Sequence, residues 1–407
     1  MHTMALVELL TLFMNIIRHV NRIEPMLIIE GQNNILLISF DNILYKLTRK
    51  YFAEKFIMHL SRLLLQKRTF SGIQPTGILH LGNYLGAVKR WVDQSKEKRE
   101  RRDSLMFCVV DQHAITMPQD PALLRQNIRL MTASLIACGL DTENCILFQQ
   151  STVSQHSELC WILGTLCSMS RLEHLTQYKD KASKLKEIPL GLFIYPVLQS
   201  ADILLYKASH IPVGEDNLQN LYVSQYLAQK FNSQFCPPNK PLFPKPEADL
   251  SDSTSARLRS LRNPDKKMSK SDADQMSCIY ISDSPEVIQK KIKSSVTDSI
   301  KEVFYDPENR MGVANLISIY SEFSEQSLEE VSLNLQNNNM NKVQLKQAVS
   351  DILVEKLTPI QSELNRLLSD TKYIDDVIED GRIEAEEIAA DTMVQVRKLV
   401  GLRWHSL

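Results

Sequence analysis

The stretch Ser71–Trp91, SGIQPTGILHLGNYLGAVKRW, decides how the chain is read. A short strand ending in Gly72 gives way to an amphipathic helix with Leu85, Val88 and Trp91 on its apolar face. Gly77, Gly82 and Gly86, with His80 and Asn83, gather at that junction. A helix N-terminus presents unpaired N–H groups and the positive end of the helix dipole, and glycines let backbone approach closely, so the junction suits a phosphate. Taken alone the pattern is weak, because helix starts carrying His and Asn are common.

Working outward, apolar runs alternate with amphipathic stretches over the next two hundred residues or so, the pattern of a parallel sheet covered by crossover helices. RTFSG (Arg68–Gly72), LMFCVV (Leu105–Val110), CILFQQS (Cys145–Ser151) and HIPVGED (His210–Asp216) read as strands. Asp120 caps a helix opening at Pro121, burying Leu124, Ile128, Met131 and Leu135 and stopping at Gly139. In open sheets of this kind ligands bind beyond the carboxyl ends of the strands. That rule selects residues 72–74, Asp111–His113, 150–154 and 214–217 as candidates. The proline-rich, then polar segment Phe231–Lys267 reads as a long surface connection. Beyond Ser284 the pattern is helical, with Leu345, Val349, Ile352, Leu353, Leu357, Ile360, Leu364 and Leu367 at three- and four-residue spacing. The fold class is therefore α/β: a Rossmann-like parallel sheet plus a C-terminal α-helical domain.

A chain of 407 residues is long enough for two domains. Its net charge of −1 means a nucleic-acid partner needs a local basic face, because no global positive field exists. The seven cysteines contain no C-x-x-C pair and lie mostly in apolar runs, which points to a reducing compartment without a zinc site. No metal-ligand cluster and no Ser/His/Asp constellation stands out. Glu30, Asn33, Asn34 and Asp41 break the apolar N-terminus, so membrane insertion is not expected. Residues 1–69 differ from the rest and read as an N-terminal extension, disordered or targeting, of which 1–57 are expected to be missing from the mature protein. MHLSRLLLQKR (Met58–Arg68) has leucines set against Arg and Lys, no acid and one serine, as transit peptides do; an ordinary N-terminal helix is the other reading.

A second element, KKMSKSDAD (Lys266–Asp274), places three lysines and two serines on a polar loop. Such a loop suits closure over a triphosphate, although a solvated basic loop or a phosphorylation site would look the same in isolation. Together, HLGN (His80–Asn83) and KMSKS (Lys267–Ser271) resemble the HIGH and KMSKS signature pair of the class I aminoacyl-tRNA synthetases. The blocks Phe70–Ala87, Asp111–Pro121, Leu192–Tyr206, Val213–Asn217 and Lys290–Ser299 resemble the tryptophanyl branch, in order, and PVLQSADILLY is similar to its mitochondrial members. The resemblance runs from Phe70 to about Leu402.

That resemblance implies tryptophan activation by ATP with Mg²⁺, then transfer to the 2′-hydroxyl of the terminal adenosine of tRNA(Trp). It implies ATP contacts from Gln74, Pro75, Thr76, Gly82, Asn83, Gly214, Glu215, Asp216 and Leu258, with the closing loop Lys267, Met268, Ser269, Lys270 and Ser271. His80, Asn83, Lys181, Lys267 and Lys270 would act on the phosphates. Phe70, Tyr195, Gln199, Asp202, Val213 and Asn217 would form the tryptophan slot. An indole N–H buried in an apolar slot requires an acceptor, a role the resemblance gives to Asp202. The implied partners are L-tryptophan, ATP, tRNA(Trp) and a second copy in a homodimer, with neither DNA nor membrane. The implied domains are a catalytic one over 70–275 and a helical, anticodon-binding one over 276–407. The location would be the mitochondrial matrix, with the cytoplasm as alternative.

Two positions depart from the family's pattern. Asn217 stands where glutamine is usual and Asn220 where histidine is usual, so a weaker hold on tryptophan is expected. A tyrosyl-type synthetase, an inactive paralogue acting as an RNA-binding or regulatory protein, and an H-x-G-H nucleotidylyltransferase are the competing readings. Lys342, Lys346, Lys356 and Arg366 are the basic side chains on the C-terminal helices, each also readable as part of a solvated face.

Overall fold

The computed structural model describes residues 67–97, 102–183, 185–214, 217–250, 258–270 and 272–402, with Asp103 and Lys181 by backbone alone. The expected N-terminal extension lies outside them, apart from 67–69, of which Thr69 already opens the first strand.

Five parallel strands are ordered β3-β2-β1-β4-β5: β1 Thr69–Ile73, β2 Leu105–Val109, β3 Ile146–Gln149, β4 His210–Pro212 and β5 Glu247–Asp249. Strand β2 is buried along its whole length, which is why it reads as an unbroken apolar run. Its alternate side chains serve two cores. Leu105, Phe107 and Val109 pack on one face of the sheet, and Met106 and Cys108 on the other.

After β1 comes a helical segment, α1 (residues 81–96), which widens into a π turn over Tyr84–Val88. Then follow α2 Asp111–Ala114, α3 Pro121–Ala137, α4 Gln155–Gly164, α5 Met169–Glu173, α6 Thr176–Ala182, α7 Leu190–Leu205 and α8 Leu218–Phe235. The expected cap on α3 is present: the Asp120 side chain accepts from Leu123 N–H at 2.7 Å. The C-terminal part is helical, with α9 Pro285–Lys293, α10 Met311–Ser324, α11 Leu328–Asn337, α12 Lys342–Ser369 and α13 Thr371–Val400. All eight apolar positions singled out above fall on α12, where six are fully buried and Ile352 and Ile360 partly so.

Strand β3 is the sheet's edge, and α13 covers it. A Cβ at Gly381 would come within 1.9 Å of the Leu147 carbonyl oxygen, so only glycine lets the helix lie that close. Arg102 to Glu384 at 2.5 Å ties α13 to the segment before β2, and Arg397 to Glu158 at 2.7 and 2.5 Å ties it to α4. Covering the edge hides its unpaired N–H and C=O groups.

The segment read as a surface connection, Phe231–Lys267, is only partly one. Phe231 is buried within α8, and Glu247–Asp249 adds β5 to the sheet, His210 pairing with Glu247. Three residues, two of them acidic, carry no strand pattern; pairing with β4 and the Arg90–Asp249 ion pair at 2.5 Å hold them.

Candidate active site

Strand order reverses between β1 and β4, since β2 and β3 extend to one side of β1 and β4 and β5 to the other. The crevice at such a switch point is where an open α/β sheet takes its ligand. A cavity of about 410 Å³ opens there, lined by residues that follow β1, β2 and β4.

At its upper end lies the start of α1. His80 is the N-cap, its Nδ1 accepting from Asn83 N–H at 3.2 Å, so the ring proton resides on Nε2. Burial, reinforced by the ammonium groups of Lys270 and Lys267, lowers the His80 pKa to about 4. His80 is therefore a neutral donor at pH 7. A Cβ on residue 82 would meet the imidazole at 2.8 Å, which explains the glycine two residues after the histidine.

The loop around Lys267–Lys270 folds against this helix start. Leu81 N–H donates to Ile279 at 2.9 Å and Ile281 N–H to Leu79 at 3.0 Å. Met268 is buried and donates its N–H to the Leu258 carbonyl at 2.9 Å. Lys270 Nζ reaches the Thr76 hydroxyl at 3.4 Å and the Gly77 carbonyl at 3.2 Å, and burial lowers its pKa to about 8. Lys267 lines the cavity.

At the lower end is Asp202 on α7, 2 % exposed. Its Oδ2 meets His113 Nε2 at 2.7 Å; its Oδ1 meets both Gln150 Nε2 and His156 Nδ1 at 2.7 Å. Burial would raise the carboxyl's pKa, but the two imidazoles outweigh it and hold the pKa well below the usual carboxylate range. Beside it Phe70 stacks on Tyr206 at 5.6 Å and 12°. Across the slot Tyr195 O–H donates to Gln177 Oε1 at 3.0 Å, and Gln177 Nε2 donates to Asn217 Oδ1 at 3.1 Å.

Of the residues expected at the site, Phe70, Gln74, Gly82, Asn83, Tyr195, Gln199, Asp202, Val213, Gly214, Asn217 and Lys267 line one cavity. His80, Pro75, Thr76, Ser269 and Lys270 do not line it, although His80 is bonded to the lining residue Asn83 and Lys270 to Thr76, while Leu258 and Met268 sit in the core. Glu215, Asp216, Ser271 and the Lys181 side chain lie outside the described residues. The resemblance supplied no role for Gln150, His156, Gln177 or Tyr206. His113 and Gln150 are among the positions the strand-end rule selected, without a role; nothing local marks His156 or Tyr206.

The sheet order, the switch-point crevice and the cation-flanked helix start define a nucleotide-binding α/β enzyme. Residues 66–358 match the family described as tRNA synthetases class I (W and Y). The chain is 41 % identical over 333 residues to a tryptophan–tRNA ligase of Bacillus anthracis, covering 82 % of this chain and 97 % of that one. It is equally similar, 41 % over 348 residues, to the mitochondrial tryptophan–tRNA ligase of Saccharomyces cerevisiae, covering 82 % and 90 %. A Campylobacter jejuni tryptophanyl-tRNA synthetase solved with ADP and tryptophan superposes with a TM-score of 0.69 at 30 % identity, over 82 % of this chain and 99 % of that one. The chain belongs to the class I tRNA synthetases, in their tryptophan–tRNA ligase branch.

Proposed function

We propose that the chain condenses L-tryptophan with ATP to tryptophanyl-adenylate and passes the tryptophanyl group to the 2′-hydroxyl of the terminal adenosine of tRNA(Trp), in mitochondrial translation. The observation carrying the specificity is the Asp202 carboxylate: ionised, buried, and lining the slot between Phe70 and Tyr195. An ionised carboxylate has about four acceptor positions, and three are taken, leaving one for an indole N–H.

In the first step the tryptophan carboxylate attacks the α-phosphate and pyrophosphate leaves. No nucleophilic side chain is required, so the protein positions the reactants and stabilises charge. Neutral His80 donates from Nε2 toward the phosphates, helped by the N–H groups at the start of α1, in the role the HIGH-like signature implies. Lys267 and Lys270, in the KMSKS-like loop, balance the charge developing on pyrophosphate. Among the described residues no group of three His, Cys, Asp or Glu side chains would hold a metal. In the resemblance's reading Mg²⁺ enters with the nucleotide, as the MgATP complex, and spreads the charge on the phosphates.

The 70–275 and 276–407 division assigns adenylation to the sheet and anticodon contact to the helices. Of the basic side chains there, Lys342 donates to the Asp298 carbonyl, Lys346 to those of Lys293 and Ser295, and Arg366 pairs with Glu363, whereas Lys356 is exposed. A homodimer is supported by Trp161, 77 % exposed on α4, with Met169, Leu190 and Tyr222 exposed on α5, α7 and α8. Mitochondrial location is supported by the yeast relative and the Met58–Arg68 composition; no helix among the described residues is long and apolar enough to cross a membrane.

The test is amino-acid-dependent ATP/pyrophosphate exchange on protein beginning near Lys67, with tryptophan and tyrosine in parallel. Exchange with tryptophan alone is expected. Exchange with tyrosine would move the specificity to the sister enzyme, and silence with both, in folded protein that binds ATP, would leave an inactive paralogue.

A further inference from the structure

Asp202 can accept an indole N–H only if its carboxylate is turned correctly, and a carboxylate rotates freely unless both oxygens are held. His113 holds Oδ2 from beyond β2, Gln150 holds Oδ1 from beyond β3, and His156 adds a second bond to Oδ1 from α4. His156 is fully buried and does not line the cavity. An ionised carboxylate only accepts, so His156 Nδ1 carries a proton, and its Nε2 lies 2.7 Å from the Tyr206 hydroxyl. The Tyr206 hydroxyl, itself buried and at the C-terminal end of α7, meets that nitrogen and so holds the plane of the ring; with a neutral imidazole the O–H is the donor and Nε2 the acceptor. Tyr206 is fixed in turn by stacking on Phe70 and by the edge of Phe148, with centroids 5.4 Å apart.

We propose that His156, set by Tyr206, is a positioning residue that aims the free acceptor position of Asp202 at the indole N–H and thereby makes the site discriminate for it. The proposal rests on the reading of Asp202 given above. Buried hydrogen-bonded shells of this kind fix the geometry of the group that touches the ligand. His156 stands behind Asp202 and off the cavity wall, so its loss is expected to act through Asp202.

The experiment compares tryptophan with its benzothiophene isostere, in which sulfur replaces the indole N–H, in ATP/pyrophosphate exchange by wild type, His156→Leu, His156→Asn and Tyr206→Phe. Wild type is expected to prefer tryptophan by at least ~100-fold in kcat/KM, as sites built around one hydrogen bond do. His156→Leu should raise the tryptophan KM by ~30-fold or more while the isostere's KM and both kcat values stay within ~3-fold, so the preference collapses. His156→Asn keeps an N–H donor near the place of Nδ1 and should recover most of the preference. Tyr206→Phe should erode it by ~3- to 10-fold.

Equal losses for both amino acids, or a His156→Asn protein as defective as His156→Leu, would overturn the proposal, because packing alone would then explain the histidine. If His156→Leu does not fold, Tyr206→Phe decides: an unchanged preference overturns the proposal and an eroded one supports it. A wild type active with tryptophan but indifferent to the isostere removes both the role of Asp202 and this inference. A wild type inert with tryptophan breaks the functional reading itself. A normal wild type with unmoved variants breaks the positioning role only.

Discussion

The two ends of the crevice are built differently. At the lower end the Asp202 carboxylate of α7 is bound by three side chains, each at 2.7 Å, drawn from α2, the turn after β3 and α4. At the upper end Lys270 is held by two longer contacts, 3.4 and 3.2 Å, and its loop is anchored by the apolar Met268 side chain and by backbone bonds from Met268 N–H to Leu258 and from Ser260 N–H to Lys266. A group that recognises substrate must be preorganised, because any freedom lowers discrimination. Groups that neutralise a departing pyrophosphate must close and then let go, and weak polar contacts on an apolar anchor permit both.

The comparison breaks most visibly at Asp202. Asp202→Asn leaves two imidazoles and an amide facing a group that has lost its charge, and kcat/KM for tryptophan should fall by ~10²- to 10³-fold, mostly in KM, with the KM for ATP little changed. The measurement is steady-state exchange with each substrate varied in turn.

Lys270→Ala should do the opposite: a ~10- to 100-fold loss in kcat with the tryptophan KM within twofold, as expected of a charge used in the transition state. The same lysine sets a pH limit. Because its pKa is lowered to about 8, the ammonium is present below that pH and lost above it, so kcat/KM for ATP should decline as pH rises through about 8. Lys270→Arg should abolish that decline, since guanidinium stays charged. A profile that is flat to pH 9.5 in the native enzyme would contradict the assignment.

Gly82→Ala sharpens the contrast from the His80 side. The methyl group must displace the imidazole it meets at 2.8 Å. A rise in the ATP KM with tryptophan affinity unchanged is expected, together with a stability loss of ~1–3 kcal/mol by denaturant titration. Asn217→Gln carries the smallest effect. Asn217 is half-buried and already bonded to Gln177, so one added methylene should lower the tryptophan KM by only ~2- to 5-fold; an unchanged KM would mean the shorter side chain costs the enzyme nothing.

The upper end was largely legible in the sequence because its parts are local. Gly82, His80 and Asn83 lie within one turn, and the phosphate role proposed for them follows from backbone groups that every helix exposes. The Lys267–Lys270 loop was equally visible as a charge pattern, although only the fold brings Lys270 to Gly77. At the lower end the lining residues and the strand-end positions 113 and 150 were named, but not their convergence on Asp202. Asp202 was identified through the block around it, while the groups that set its charge and direction come from positions 113, 150 and 156.

Residue chemistry and periodicity in the sequence determined the alternation of strands and helices, the buried run of β2, the capped start of α3, the helical C-terminal part and the glycine-rich start of α1, because hydrophobic period and capping act over a few residues. Only tertiary structure decided that Glu247–Asp249 becomes a strand, that α13 lies on β3 at Gly381, and that His113, Gln150 and His156 converge on one carboxylate. Those outcomes depend on which segments meet once the sheet is assembled. A buried charge is tolerated only where donors from several segments arrive together, and no short window of sequence contains them.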